Sequence, residues 1–264
     1  MNRLAPSRTT RWIIGILVGA FFAIPLVSTF LYTLRGTDGG LSFERWAAIL
    51  DPTASAALKP IWTGLGNSLI LALVTVAIVL LLLAPTMILV SLRFPKLKPL
   101  FEFTALLPIS IPAIVLVVGL SPIYLQISRA LGTGTWTLAF AYGITVLPFA
   151  YRSIQASIDA ADLRTLSEAA RSLGSSWPVV VWKVLAPNLR QGLLSASLIS
   201  IAVVLGEFTI ASLLNRQVFQ TAMVVVGKQD AYAPAIFTLL ALLFCFLLLL
   251  IIGRAARGNR KASS

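Results

Sequence analysis

The 264 residues predict an all-α polytopic membrane protein with six transmembrane helices. Composition is the first reason: 58% of the residues are apolar and 11% charged, where soluble domains carry roughly 45–50% and about 25%. Mean hydropathy, at +0.92, says the same. The second reason is spacing. Apolar runs cover about 12–34, 65–92, 104–125, 136–151, 191–214 and 233–252, and a span needs about 20 such residues. The third is charge. The net +12 would suggest nucleic acid in a soluble protein, yet fifteen of the 21 Lys and Arg fall on one side of this topology. Only Arg35, Arg45, Lys59, Arg129, Arg216 and Lys228 fall on the other. The positive-inside rule then places both termini and the loop 152–190 in the cytoplasm, and nucleic acid is not an expected partner. The whole chain reads as one transmembrane domain, 1–264, with no room for a separate soluble one.

Along the chain, Arg3, Arg8 and Arg11 precede the first run as they would in a signal peptide. Trp12 to Leu34 is too long for that, contains Pro25 and lacks a small-x-small cleavage site, so an uncleaved span is expected. In the loop 35–64, Phe43 to Leu50 predicts a short interfacial helix, ended by Asp51-Pro52. Span two runs uncharged through Leu69–Leu83. Span three carries Pro108, Pro112 and Pro122. Prolines at this density free carbonyls that lipid cannot satisfy, so they either bend the helix against neighbours or shape a water-filled path.

Between spans four and five, Leu163, Leu166, Ala170 and Leu173 recur at helical spacing, with Arg164, Glu168 and Arg171 on the other faces. Gly174-Ser175-Ser176 ends this amphipathic helix; Ser176 reads as the N-cap of a second helix with Pro178 in its first turn, and Pro187 limits that helix. The apolar stripe must bury itself on the membrane surface or in a partner's groove. Mixed charge, with Asp159, Asp162 and Glu168 beside the arginines, suits a protein partner better than anionic lipid.

Glu207 is the one ionisable residue placed inside a span. A carboxylate there costs about 2.5–3.5 kcal/mol, so it faces protein or a cavity, either fixing helix packing or lining a path. Cys245 is alone, so no intrachain disulfide forms, and the absence of His removes the commonest metal ligand. No metal, cofactor or catalytic set is expected. No phosphate loop occurs, since Gly227-Lys228 is followed by Gln229.

One segment narrows the reading further. Glu168-Ala169-Ala170, three residues, Gly174, nine residues, Val184, one residue, Ala186-Pro187 resembles the EAA loop of binding-protein-dependent ABC importer permeases. The family pattern has Ile at the Val184 position and Leu at the Ala186 position. The proline-rich stretch Leu106 to Ile114 and the segment Leu205-Gly206-Glu207-Phe208 are similar to parts of permeases for polyamines, ferric iron and molybdate. The resemblance implies the type I importer permease fold (MetI-like) in a bacterial inner membrane. It implies coupling to a separate ATPase through Leu166, Glu168, Ala169, Ala170, Leu173, Gly174 and Pro187. It also implies a second permease copy or sister permease, and an extracytoplasmic solute-binding protein. Pro108, Pro112 and Glu207 become candidates for the translocation path. A polyamine or ferric iron is the expected solute, with phosphonate, thiamine and molybdate- or sulfate-like oxyanions as alternatives; an ion-coupled secondary transporter is the rival class.

Overall fold

A computed structural model of the chain describes residues 7–36, 39–50 and 55–258. Among them helix is the only regular structure, apart from one isolated bridge between Arg35 and Leu41. The chain divides into two compact units, one of residues 1–59 and 223–247, the other of 60–222 and 248–264.

In the first unit, α1 (Arg8–Thr33) starts where the Ser7 hydroxyl accepts from the Thr10 amide at 3.1 Å. Its apolar side chains are exposed all round, which is the pattern of a helix solvated by lipid. Helix α2 (Glu44–Leu50) is the expected short helix. Ser42 accepts from its first amide, and Trp46 donates its indole N–H to Thr33 at 3.1 Å. The predicted Asp51-Pro52 stop lies outside the described residues. Tyr232 stacks on Tyr32 at 4.7 Å, and the Arg45 guanidinium covers the Tyr232 ring at 3.6 Å.

The second unit contains most of α3 (Ser55–Ile78), then a π-turn (Val79–Leu83) and α4 (Ala84–Arg93). Next come α5 (Lys98–Leu106), α6 (Ala113–Leu131), α7 (Ala139–Ala160) and α8 (Leu163–Ser172). The short α9 (Trp177–Val179) leads through a second π-turn (Val180–Leu185) into α10 (Ala186–Gly206). Helix α11 (Thr209–Leu213) and the start of α12 (Phe219–Gly227) follow, while the rest of α12 and most of α13 (Tyr232–Gly258) belong to the first unit.

A helix overlies each of the six predicted runs. Among the described residues, Arg8–Thr33, Ala56–Arg93, Ala113–Leu131 and Trp177–Gly206 are long and apolar enough to cross a membrane, and Tyr232–Leu247 is a shorter apolar stretch.

Proline placement explains where the helices depart from the expected ends. Pro187 does not limit the helix before it. Trp177 to Gly206 is one continuous helical run, and the π-turn just ahead of Pro187 bonds the Ala186 amide to the Val181 carbonyl. Pro85 sits identically: the Ala84 amide reaches the Val79 carbonyl. Both π-turns close on Leu-Ala-Pro. A proline inside an α-helix lacks an N–H and collides with the carbonyl four residues back, and widening the preceding turn relieves this without ending the helix. Pro108 and Pro112, in contrast, do not kink one long third span. They bracket a break, with Ile111 extended and Pro112 at the start of α6.

The core of this unit is α7 against α10. Gly192, Ala196, Ser200 and Val204 lie four apart and are all buried, so α10 presents a small-residue ridge that lets the two backbones approach. A Cβ on Gly192 would lie 2.8 Å from the Ser153 carbonyl, and the Ser153 hydroxyl donates to the Gly192 carbonyl. Lys98 pairs with Asp159 at 2.8 Å, tying the start of α5 to the end of α7.

Candidate functional site

Residues 162–187 form a helical hairpin on the second unit. Asp162 starts it: one carboxylate oxygen accepts from the Thr165 amide at 3.2 Å and the other from the Thr165 hydroxyl at 2.6 Å. Those bonds hold the Asp162 carboxyl below its usual range, the Thr165 hydroxyl contributing most. At the other end Leu173 is the C-cap and Gly174 turns left-handed at φ +83°. The Ser175 amide bonds back to the Ala170 carbonyl at 3.1 Å and the Gly174 amide to Arg171 at 3.0 Å. This is the Schellman pair, and its turn position favours glycine because any Cβ there meets its own backbone. Gly174 is therefore explained by the turn; no other atom lies within 4 Å of an added Cβ. Arg171 reinforces the corner, donating to the Ser175 carbonyl at 2.8 Å with its guanidinium 5.6 Å from the Trp177 ring. Ser176 occupies the predicted N-cap position, although its hydroxyl makes no cap bond.

The apolar stripe divides in two, unlike the expectation of one face kept for a partner or the bilayer. Leu163, Leu166 and Ala170 join the same hydrophobic core as Val180, Val184 and Leu185 of the second arm, against which α8 lies. Leu173, at the helix end, points away and is 86% exposed. The reason is geometric: the glycine turn folds the second arm back under the stripe before Leu173 can join it. Of the candidate coupling residues, Glu168, Ala169, Leu173 and Gly174 remain outward, beside the exposed Arg164, Thr165, Arg171 and Ser172. Glu168 pairs with Arg164 at 2.9 Å with both side chains largely exposed. Such a pair contributes only about 0.3–0.5 kcal/mol to the helix. Trp182 is exposed and Pro187 sits in the first turn of α10. Residues that hold the hairpin rigid, Asp162 and Arg171 among them, were not singled out as site residues; Asp three positions before Thr165, opening an apolar-periodic run, was the available signal.

The other candidate residues lie elsewhere. Glu207 is where α10 stops, with extended backbone (φ −81°, ψ 126°). Its two carboxylate oxygens accept from the Thr209 and Ile210 amides, each at 3.0 Å, so the carboxylate satisfies donors that lipid could not. A second Schellman turn closes α11, with Asn215 left-handed at φ +51° and the Arg216 amide bonded to the Ala211 carbonyl. Pro108 and Pro112 flank the break between α5 and α6. The described residues hold no cluster of His, Cys, Asp and Glu able to bind a metal.

Apolar helices long enough to cross a membrane, with a helical hairpin whose edge is exposed, define a multi-pass membrane protein. Residues 87–259 match the family described as binding-protein-dependent transport system inner membrane component, and the chain belongs to that family. It is similar to an Fe(3+)-transport system permease protein of Haemophilus influenzae, 31% identical over 223 residues, covering 83% of this chain and 40% of that protein. It is also similar to a chloroplastic sulfate permease of Chlamydomonas reinhardtii, 32% identical over 96 residues, 36% of this chain and 26% of that one. The chain thus spans well under half the length of these relatives.

Proposed function

We propose that this chain is the permease subunit of an ATP-binding-cassette importer and that the 162–187 hairpin is its coupling lever. The observation that carries the reading is the division of the hairpin's surface. One face is spent on the chain's own packing, which makes the element stiff, while Glu168, Ala169, Leu173 and Gly174 stay outward. A stiff element with a small-residue edge and one projecting leucine fits the cleft of a separate ATPase. The second arm continues without interruption into α10, so displacement of the hairpin moves a membrane helix directly. ATP binding on the partner favours one disposition of the helices and hydrolysis the other, a differential-affinity switch.

The pore pairs this chain with a second copy or a sister permease, and an extracytoplasmic binding protein delivers the solute to a bacterial inner-membrane complex whose termini face the cytoplasm. Ferric iron is the favoured solute: the likeness to the Haemophilus Fe(3+)-transport permease supports it, and a carboxylate at a helix break is a hard oxygen donor suited to such a cation. A polyamine, also cationic, is the second reading, supported by Glu207 alone. The test is uptake in proteoliposomes containing the permease, its ATPase and binding protein, with ion gradients collapsed. ATP-driven uptake of ferric iron that is lost in Glu168→Lys is expected. Uptake that needs an ion gradient and ignores ATP overturns the importer reading.

A further inference from the structure

A cavity of about 350 Å³ lies between α4 and the start of the hairpin's second arm, lined by Pro85, Ile88, Leu89, Leu92, Arg93, Trp177 and Val181. We propose that it binds an anionic phospholipid, an acyl segment lying along α4 and the phosphate meeting Arg93. Pro85, Ile88, Leu89 and Leu92 follow the spacing i, i+3, i+4, i+7, so they form one continuous apolar stripe about 10 Å long. That is a trough shaped for a chain, and the volume falls at the lower end of ligand pockets, about 300–1,000 Å³. Arg93 comes one residue after the stripe ends, in the last turn of α4, and has no ion-pair partner among the described residues. Trp177, exposed and aromatic, is the residue type that settles at headgroup level. An apolar trough finished by a guanidinium and an indole complements an amphiphile with a negative head, and basic pockets at the cytoplasmic ends of helices favour such lipids. An acidic protein segment would leave the long aliphatic wall without polar matches for its backbone.

The position gives the lipid a consequence. Pro85 lies two residues past the first π-turn and Val181 lies within the second. An occupant therefore touches the second widened turn and lies just beyond the first, where it sets the spacing between α4 and the arm that leads into α10. The inference does not depend on which ATPase or solute the chain serves.

The test uses the full chain in phosphatidylcholine nanodiscs, titrated with either phosphatidylglycerol or phosphatidylcholine brominated on the acyl chain. Tryptophan quenching is read in the wild type and in Trp177→Phe, the difference isolating Trp177 from the other five tryptophans. Half-maximal Trp177 quenching is expected at about fivefold lower mole fraction for the anionic lipid. Arg93→Gln should bring the two lipids together, and Arg93→Lys should retain most of the difference. Equal quenching by both lipids in the wild type, or a preference that survives Arg93→Gln, overturns the proposal. Absence of Trp177 quenching by either lipid overturns it too and leaves the cavity to a protein segment.

Discussion

Replacing Gly174 separates two reasons for a glycine at the hairpin corner: a backbone that must turn left-handed, and a partner surface that needs room. The structure gives φ +83° with no atom within 4 Å of an added Cβ, so alanine meets no neighbour within the chain and its cost is conformational, about 1–2 kcal/mol. Opening the turn instead would forfeit the Ser175–Ala170 and Gly174–Arg171 bonds, at about 0.5–1.5 kcal/mol each, so the escape route is no cheaper. Because the two costs are comparable, Gly174→Ala should leave about half of the corners closed and competent to dock, lowering the affinity of the ATPase for the permease about twofold. Asparagine tolerates the left-handed region far better, and Asn215 already serves in the equivalent turn after α11. Gly174→Asn should therefore lose less than alanine despite being larger. The assay is titration of labelled ATPase onto each variant in nanodiscs, with insertion checked by yield and gel filtration. If asparagine loses more than alanine, side-chain bulk at the docked surface controls binding, and the backbone argument is wrong.

Other outcomes follow from the same geometry. Glu168→Gln removes an exposed pair worth little to the helix, so thermal unfolding should stay within about 0.5 kcal/mol of wild type while ATPase binding falls; a matched loss of stability would move the role of Glu168 inside the chain. Glu207→Ala leaves the Thr209 and Ile210 amides without their acceptor and should destabilise the detergent-solubilised protein by about 0.5–2 kcal/mol, read by scanning fluorimetry, with Glu207→Gln losing less. Asp159 is held below the usual carboxylate pKa, first by the hydrogen bond from Lys98 and further by Gln155. Because its folded pKa is the lower one, its contribution is complete above about pH 4 and is lost as pH falls through the depressed value. The stability difference between wild type and Asp159→Asn should accordingly be constant above that range and vanish below it.

What could be read from the sequence was the part written in contrast. The hairpin's first helix alternates apolar and charged residues, so its extent from Leu163 and its glycine stop emerge from periodicity. Span ends were harder because the apolar residues of α3 and α10 are spread round the helix and not held to one face, so they carry no phase. Pro187 read as a stop because a proline ordinarily ends a helix; two widened turns absorb both prolines instead, and nothing in Val79–Leu83 or Val180–Leu185 marks them by composition. Glu207 stood out by its charge, but its service to two amides across a helix break needed coordinates. Leu173 fitted the stripe by spacing and left it because the chain turns one residue later.

The most direct measurement places a cysteine at Leu173, in a Cys245→Ser background, and carries out cross-linking on membranes that also contain the ATPase. The projecting edge of the hairpin should yield a permease–ATPase adduct whose amount changes with ATP, while a cysteine at Leu41, exposed in the other unit, should yield none. An intact, ATP-hydrolysing complex with no adduct at position 173, or equal adducts at both positions, contradicts the account.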